Sequence, residues 1–224
     1  MTSTSDILEL RTDVADAARA LADRGLLIGT AGNVSARSGD LVALTATGAV
    51  LGELTPEQVT VVTLDGEVVE GEWAPTSEAD LHLGVLRAAP AGRVGAVVHT
   101  HSRYATALSL VLDELPVVHY QQLVLGGALR VAPFEPFGTP ALARAVGGAL
   151  DGRLAALMAN HGAVALGAGL AAAVENALLV EWLCELYWRA RTIGEPRVLD
   201  DAAQRAVIEA ATRRGYGTTQ RIER

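Results

Sequence analysis

Gly95-Ala-Val-Val-His-Thr-His101 closes an apolar run on two histidines separated by one residue. The run reads as a buried strand, and side chains alternate across a strand, so His99 and His101 emerge on the same side. Two imidazoles on one face at a strand end can both reach a single zinc ion, at about 2.0–2.1 Å per Zn–N bond. The plainer reading is a pair of polar residues where a strand gives way to a loop. The motif is too short to choose between these readings, and the rest of the chain has to decide.

Composition narrows the field. The 224 residues suit one large domain or two small ones, with enough chain to bury a sizeable core. Half of them are hydrophobic, yet no apolar run reaches the roughly eighteen residues of a membrane span. Asp6 and Glu9 stand where a signal peptide has basic residues, so a cytoplasmic protein with no membrane partner is expected. Cys184 is the only cysteine, which excludes an internal disulfide and any cysteine-rich zinc cluster. Any metal must then be held by histidine and carboxylate. The net charge of −8 argues against a nucleic-acid surface. All eighteen basic residues are arginine. Without lysine no Schiff base can form, and a carbanion must be stabilised by a metal or another cofactor.

Upstream, Ile7, Leu10, Val14, Ala17, Ala18 and Leu21 recur at helical spacing over residues 5–26, and Gly25 marks the end. Gly29-Thr-Ala-Gly-Asn-Val-Ser-Ala-Arg37 is a glycine-punctuated turn running into a short strand. Such a turn can present backbone N–H groups to an anion, with Thr30 and Asn33 adding donors. Residues 41–45 read as a strand before the turn Thr45-Ala-Thr-Gly48. Thr55-Pro56-Glu57 has the form of a helix cap with proline first. Residues 59–64 and 67–70 read as a hairpin about Asp65-Gly66, which points to antiparallel sheet. Pro75 stops extended chain, and Thr76 or Ser77 caps a helix running to about residue 89. Hydroxyls and exposed N–H groups at such a start bind anions. Glu78 falls in the first turn, where a carboxylate also suits the helix dipole. His82, one turn on, reads as a packed helix residue.

Downstream, Ser102 caps a helix to about residue 111, and 115–119 reads as a strand closed by His119 and Tyr120. His119 is read as structural or supporting. A further strand over 129–133 precedes a Thr139-Pro140 helix start. A strand over 154–159 leads into Asn160-His161-Gly162. His161, at a strand end beside a glycine, is a candidate third metal ligand, and three histidines plus one exchangeable position is the set a catalytic zinc uses. Then come a strand over 163–166, a long helix over 170–191 with Trp182 and Trp188 on its packed face, and a last helix over 200–214. Gly167-Ala-Gly169-Leu-Ala-Ala172 formally matches a dinucleotide fingerprint, but the required βαβ unit is missing because one long helix follows. No linker, repeat or low-complexity segment divides the chain. One domain over 1–224 is expected, with a mobile tail from about 215 that carries Tyr216.

Taken together, Gly29-Thr-Ala-Gly-Asn-Val-Ser, Thr45-Ala-Thr-Gly, Pro75-Thr-Ser-Glu78, His99-Thr-His101, His119-Tyr120 and Asn160-His161-Gly162 resemble, in order and approximate spacing, the class II aldolase/adducin family. The likeness is strongest to its L-fuculose-1-phosphate aldolase branch and covers nearly the whole chain. It implies a three-layer α/β/α sandwich around a mainly antiparallel central sheet, and a homotetramer with active sites between subunits. It also implies that His99, His101 and His161 bind zinc or another divalent metal such as manganese, with Glu78 as fourth ligand until substrate displaces it. Gly32, Asn33, Thr47, Gly48, Thr76 and Ser77 match positions that hold a substrate phosphate. Tyr120, from a neighbouring subunit, and Tyr216, from the tail, match tyrosines that handle protons near the aldehyde. Ala46 and Thr76 depart from the proline and serine usual in two of these motifs.

The activity implied is reversible cleavage of a ketose 1-phosphate to dihydroxyacetone phosphate and a small aldehyde. Glu78 would exchange a proton at C3, and a desolvated site is expected to raise its pKa. Alternatives on the same scaffold are a pentulose-phosphate 4-epimerase, typically with Asp at the Glu78 position, and a methylthioribulose-phosphate-type dehydratase. A non-enzymatic adducin-like module is disfavoured because all three histidines are present.

Overall fold

The structure, a computed structural model, describes residues 4–89 and 92–217. Its sheet is built from short runs of Val, Ala, Leu and Thr. The strands are β1 (Asn33–Ser38), β2 (Leu41–Thr45), β3 (Val59–Thr63), β4 (Val68–Glu70), β5 (Ala96–Thr100), β6 (Glu114–Leu115), β7 (Leu129–Ala132), β8 (Ala155–Met158) and β9 (Gly162–Gly167). They lie in the order β4-β3-β2-β1-β5-β9-β8-β7-β6. Every pairing is antiparallel except that of β7 with β8. The helices are α1 (Thr4–Asp23), α2 (Ala79–Ala88), α3 (Arg103–Ser109), α4 (Pro140–Ala149), α5 (Leu170–Ile193) and α6 (Asp201–Arg214).

Strand alternation sorts the core into two layers. Val34, Ala36, Ala96, Val98, Ala163 and Ala165 face α1, α3 and α5. Val42, Leu44, Val97, Val164 and Leu166 face the opposite way, onto Leu81 and Leu86 of α2 and Leu142 and Val146 of α4. The result is the expected α/β/α arrangement around a mainly antiparallel sheet. Leu44, Leu86 and Leu142 are almost wholly removed from water, each contributing about 1.5–3 kcal/mol of transfer free energy. No described helix is long and apolar enough to cross a membrane.

Some local expectations change. The chain pairs as a strand only over Glu114–Leu115, not 115–119, and Tyr120–Leu125 winds into a 3-10 helix instead. His119 is the N-cap of that helix, with Nδ1 accepting from the Gln121 N–H at 3.3 Å. The Thr55-Pro56 cap does close reciprocally with Gln58, but the helix is a single 3-10 turn. The cap of α2 is Glu78 itself rather than Thr76 or Ser77. Ser102 is the N-cap of α3 as expected, but its side chain accepts no capping hydrogen bond. Trp182 and Trp188 are not packed under α5: they are 42% and 45% exposed, against His119 and Tyr104 respectively. A 24-residue helix lays only one face on the sheet, and these two residues fall outside it. Residues 218–224 of the expected tail lie outside the described residues.

Candidate active site

The site forms where β1, β5 and the β8–β9 turn meet the start of α2. Asn33 of β1 pairs with His99 of β5, and Ser35 pairs with Val97. These four residues therefore share one face of the sheet, the face that α2 covers. His101, two residues beyond His99, emerges on the same side. The turn between β8 and β9 is forced into place at two residues. Asn160 has φ 56, the only non-glycine residue among those described in the left-handed region. Gly162 has no alternative, since a Cβ there would stand 2.2 Å from the Thr100 carbonyl oxygen. This close approach carries His161 to the end of β5.

The three imidazoles converge. Their ring centroids lie 4.8 Å, 4.9 Å and 4.9 Å apart, and one nitrogen from each falls within 4.8 Å of the others. His99 Nε2 is 2.9 Å from His101 Nε2. Two nitrogens bound to one tetrahedral zinc would sit about 3.3 Å apart, so the arrangement needs only small rotations to hold an ion. The protonation pattern agrees. His99 Nδ1 donates to the Ala163 carbonyl oxygen at 3.0 Å, which leaves Nε2 with its lone pair facing the site. Burial holds His99 down to a pKa of about 4. Burial, with His161, also lowers that of His101. Both are therefore neutral near pH 7, the state in which an imidazole ligates.

Glu78, 5% exposed, completes the donor set. Its Oε2 lies 3.2 Å from His99 Nε2, and its Oε1 lies 3.6 Å from His161 Nε2. Oε2 accepts a hydrogen bond from Asn33 Nδ2 at 2.9 Å, while Oε1 is buried without a hydrogen-bond partner. Burial pushes this carboxyl up, but His99, the Asn33 amide, His161 and His82 pull it down, and the balance lies below the ordinary carboxylate value. The sequence-based expectation of a raised pKa is thus reversed, because the electrostatic pull of His99, with the Asn33 hydrogen bond and the other histidines, outweighs desolvation. Electron-rich nitrogens and an unpaired carboxylate oxygen gathered in one buried place fit a divalent cation.

Above the histidines opens a cavity of about 500 Å³, and Gly32, Asn33, Thr47, Gly48, Thr76 and Ser77 all line it with Glu78, His101 and His161. Backbone bonds assemble its wall: Thr47 N–H donates to the Ala74 carbonyl at 3.0 Å, and Thr76 N–H to that of Thr45 at 2.9 Å. Gly32, at φ 99, admits no side chain, because a Cβ would lie 2.6 Å from Leu27 Cδ2 and 2.9 Å from the His99 carbonyl oxygen. Among the described residues no arginine or lysine lines the cavity, so an anion at its glycine and hydroxyl turns would meet N–H groups and hydroxyls, with the Glu135 carboxylate also on the wall. Phe134 and Phe137 form an exposed apolar stretch of its rim. A larger groove of about 710 Å³ along α2 and α4 is lined by exposed arginines and gathers no comparable donor set.

Tyr120 and Tyr216 come together, hydroxyl to hydroxyl at 3.0 Å, but neither lines the cavity of the histidines. Two polar neighbours support the site: His82, which is the packed helix residue expected from the sequence, and Ser35, which has no role on sequence grounds. His82, fully buried, bonds through Nε2 to Asn33 Oδ1 at 2.5 Å and through Nδ1 to Ser35 Oγ at 2.7 Å. The signal was available: Ser35 lies two residues from Asn33 on a strand, and His82 four from Glu78 on a helix, so each shares a face with a site residue.

The sequence profile of the class II aldolase and adducin N-terminal domain matches residues 12–188. A 5-methylthioribulose-1-phosphate/5-deoxyribulose-1-phosphate aldolase of Rhodospirillum rubrum is 38% identical over 203 residues, covering 90% of each chain. A 5-deoxy-D-ribulose 1-phosphate aldolase of Bacillus thuringiensis is 38% identical over 193 residues, 85% of this chain and 90% of that one. Among solved structures, an L-fuculose 1-phosphate aldolase superposes with a TM-score of 0.87 at 32% identity, covering 95% of this chain and 98% of the other. Together with the histidine cluster and the antiparallel sheet that carries it, these matches make the chain a member of the class II aldolase and adducin family.

Proposed function

We propose that this protein is a zinc-dependent aldolase that reversibly cleaves a ketose 1-phosphate to dihydroxyacetone phosphate and a small aldehyde. The observation that carries the reading is the convergence of His99, His101, His161 and Glu78 beneath a cavity walled by glycine and hydroxyl turns. His99, His101 and His161, with Glu78 as fourth ligand until substrate displaces it, would hold a divalent cation whose Lewis acidity would stabilise negative charge developing beside the substrate carbonyl. Gly32, Asn33, Thr47, Gly48, Thr76 and Ser77 hold the phosphate through N–H and hydroxyl donors and so orient the bond that breaks. Glu78, with Oε1 uncommitted, exchanges the C3 proton. Tyr120 and Tyr216 of one subunit serve the cavity of its neighbour in a homotetramer. There they take the proton from the C4 hydroxyl in cleavage and return it in synthesis. Within one chain the two tyrosines stand apart from the histidines, which supports a site shared between subunits.

A substrate whose aldehyde half lacks the hydroxyl that a fuculose-like aldehyde carries beside its carbonyl, as in a 5-deoxy or 5-methylthio pentulose 1-phosphate, is a second reading, favoured over a fuculose-like one by two observations. Phe134 and Phe137 make part of the rim apolar, and the two relatives at 38% identity are named for 5-deoxy or 5-methylthio pentulose phosphates. The test is a panel of ketose 1-phosphates, including L-fuculose, 5-deoxyribulose and 5-methylthioribulose phosphates. Dihydroxyacetone phosphate is followed by a coupled assay with and without chelator. Chelator-sensitive release supports the reading, whereas loss of water without carbon–carbon cleavage would make the protein a dehydratase.

A further inference from the structure

The hydrogen bonds behind Glu78 run in one direction. Glu78 Oε2 can only accept, so the Asn33 group facing it at 2.9 Å is the amide NH2. The Asn33 carbonyl oxygen then faces His82 Nε2 at 2.5 Å, and that nitrogen must carry a proton. His82 is wholly buried, and a neutral ring that carries its proton on Nε2 leaves Nδ1 as an acceptor. Ser35 Oγ, 2.7 Å away, donates to it. The chain reads Ser35 O–H to His82, His82 N–H to Asn33, Asn33 N–H to Glu78. Turned over, the Asn33 amide would present its oxygen to a carboxylate and its NH2 to an N–H.

We propose that His82 is a positioning residue whose Nε2–H fixes the orientation of the Asn33 amide and thereby ties Glu78 Oε2 down while leaving Oε1 free. Its catalytic consequence rests on the aldol reading above, whereas its structural consequence does not. The second N–H of Asn33 remains available to a ligand in the cavity, so one amide both steadies the carboxylate and faces substrate. Ser35 anchors the far end, holding the ring in the Nε2–H form.

The experiment compares wild type with H82L, H82Q and S35A, each zinc-loaded and each metal-free. H82L removes the donor to Asn33. In H82Q the amide NH2 replaces it. The expected result is a fall in kcat of about 10–100-fold for H82L together with a raised KM, since Asn33 also faces substrate, and recovery of most of both in H82Q, the range seen when residues supporting metal ligands are removed. Zinc affinity, measured by competition with a chelator, should fall for H82L and recover for H82Q in the same order. Nitrogen-15 spectra of histidine-labelled metal-free wild type should show His82 as the neutral Nε2–H tautomer, and S35A should weaken that preference. If H82L does not fold, H82Q, S35A and the tautomer decide the matter. H82L with wild-type kcat and zinc affinity, H82Q damaged as badly as H82L, or a neutral Nδ1–H tautomer overturns the proposal. Failure of wild type to release aldehyde defeats the aldol reading instead, and the tautomer and zinc affinities still decide the role of His82.

Discussion

Replacing Glu78 with glutamine separates chemistry from architecture. The carboxylate is buried, accepts one hydrogen bond from Asn33 at 2.9 Å, and faces His99 and His161 at 3.2 Å and 3.6 Å. Glutamine keeps the volume and, with its oxygen in the Oε2 place, an acceptor for Asn33, while its NH2 in the Oε1 place can face His161 in the metal-free protein. No buried charge is left unpaired, so stability should change by no more than about 1 kcal/mol. The three histidines remain, so a metal should still bind. What disappears is a group able to exchange a proton at C3. General acid–base groups contribute about 10²–10⁴-fold, equivalent to roughly 2.7–5.5 kcal/mol of barrier. With the phosphate anchored by separate turns, the loss should fall on kcat and leave KM nearly unchanged. The assay is coupled detection of dihydroxyacetone phosphate on zinc-loaded wild type and E78Q, with thermal unfolding of both. Wild-type turnover by E78Q would refute the assignment of Glu78. A collapse in stability would refute the claim that the glutamine is accommodated.

Other outcomes follow from the same geometry. His99 and His82 are held neutral to about pH 4 and about pH 3. The unfolded chain therefore takes up protons below its own histidine pKa that the folded chain refuses. Stability of the metal-free protein should fall as pH drops from about 6.5 towards 4, by up to roughly 1.4 kcal/mol per pH unit for each histidine, which denaturant titrations across that range check. G32A places a Cβ against Leu27 and the His99 carbonyl at a positive φ, and should cost about 1–3 kcal/mol, read as a lowered denaturation midpoint, with weakened substrate binding. Y120F should be nearly inactive as a pure protein. If tyrosine and carboxylate come from different subunits, refolding Y120F together with E78Q should restore part of the activity. No recovery in verified mixed oligomers would place both groups on one chain.

Much of this architecture is legible in the sequence where periodicity is strong. The alternation in Gly95–His101 puts both histidines on one face, and the Asp65-Gly66 hairpin and the long helix after Gly169 stand close to where they were expected. What is not legible depends on sheet order. Asn33 and Ser35 become neighbours of His82 and Glu78 only because β1 lies beside β5 under α2, a pairing that no local pattern specifies. The segment after Leu115 has the composition of a strand, but it lies beyond the sheet's last pairing and turns helical at Tyr120. Trp182 and Trp188 mislead for a related reason: aromatic size suggests core, yet the face of α5 that carries them meets His119 and Tyr104 instead of the sheet. The direction of the Glu78 shift is not legible because burial can be anticipated from a motif, while the placement of His99, the Asn33 amide, His161 and His82 around the carboxyl cannot.

The most direct test of the account is a crystal structure of the protein grown with zinc, with anomalous data on both sides of the zinc edge. The account predicts one zinc per chain, bonded at about 2.0–2.1 Å to a nitrogen of each of His99, His101 and His161. No zinc at full occupancy there, or an ion held by other residues while these three rings stand apart, would contradict it.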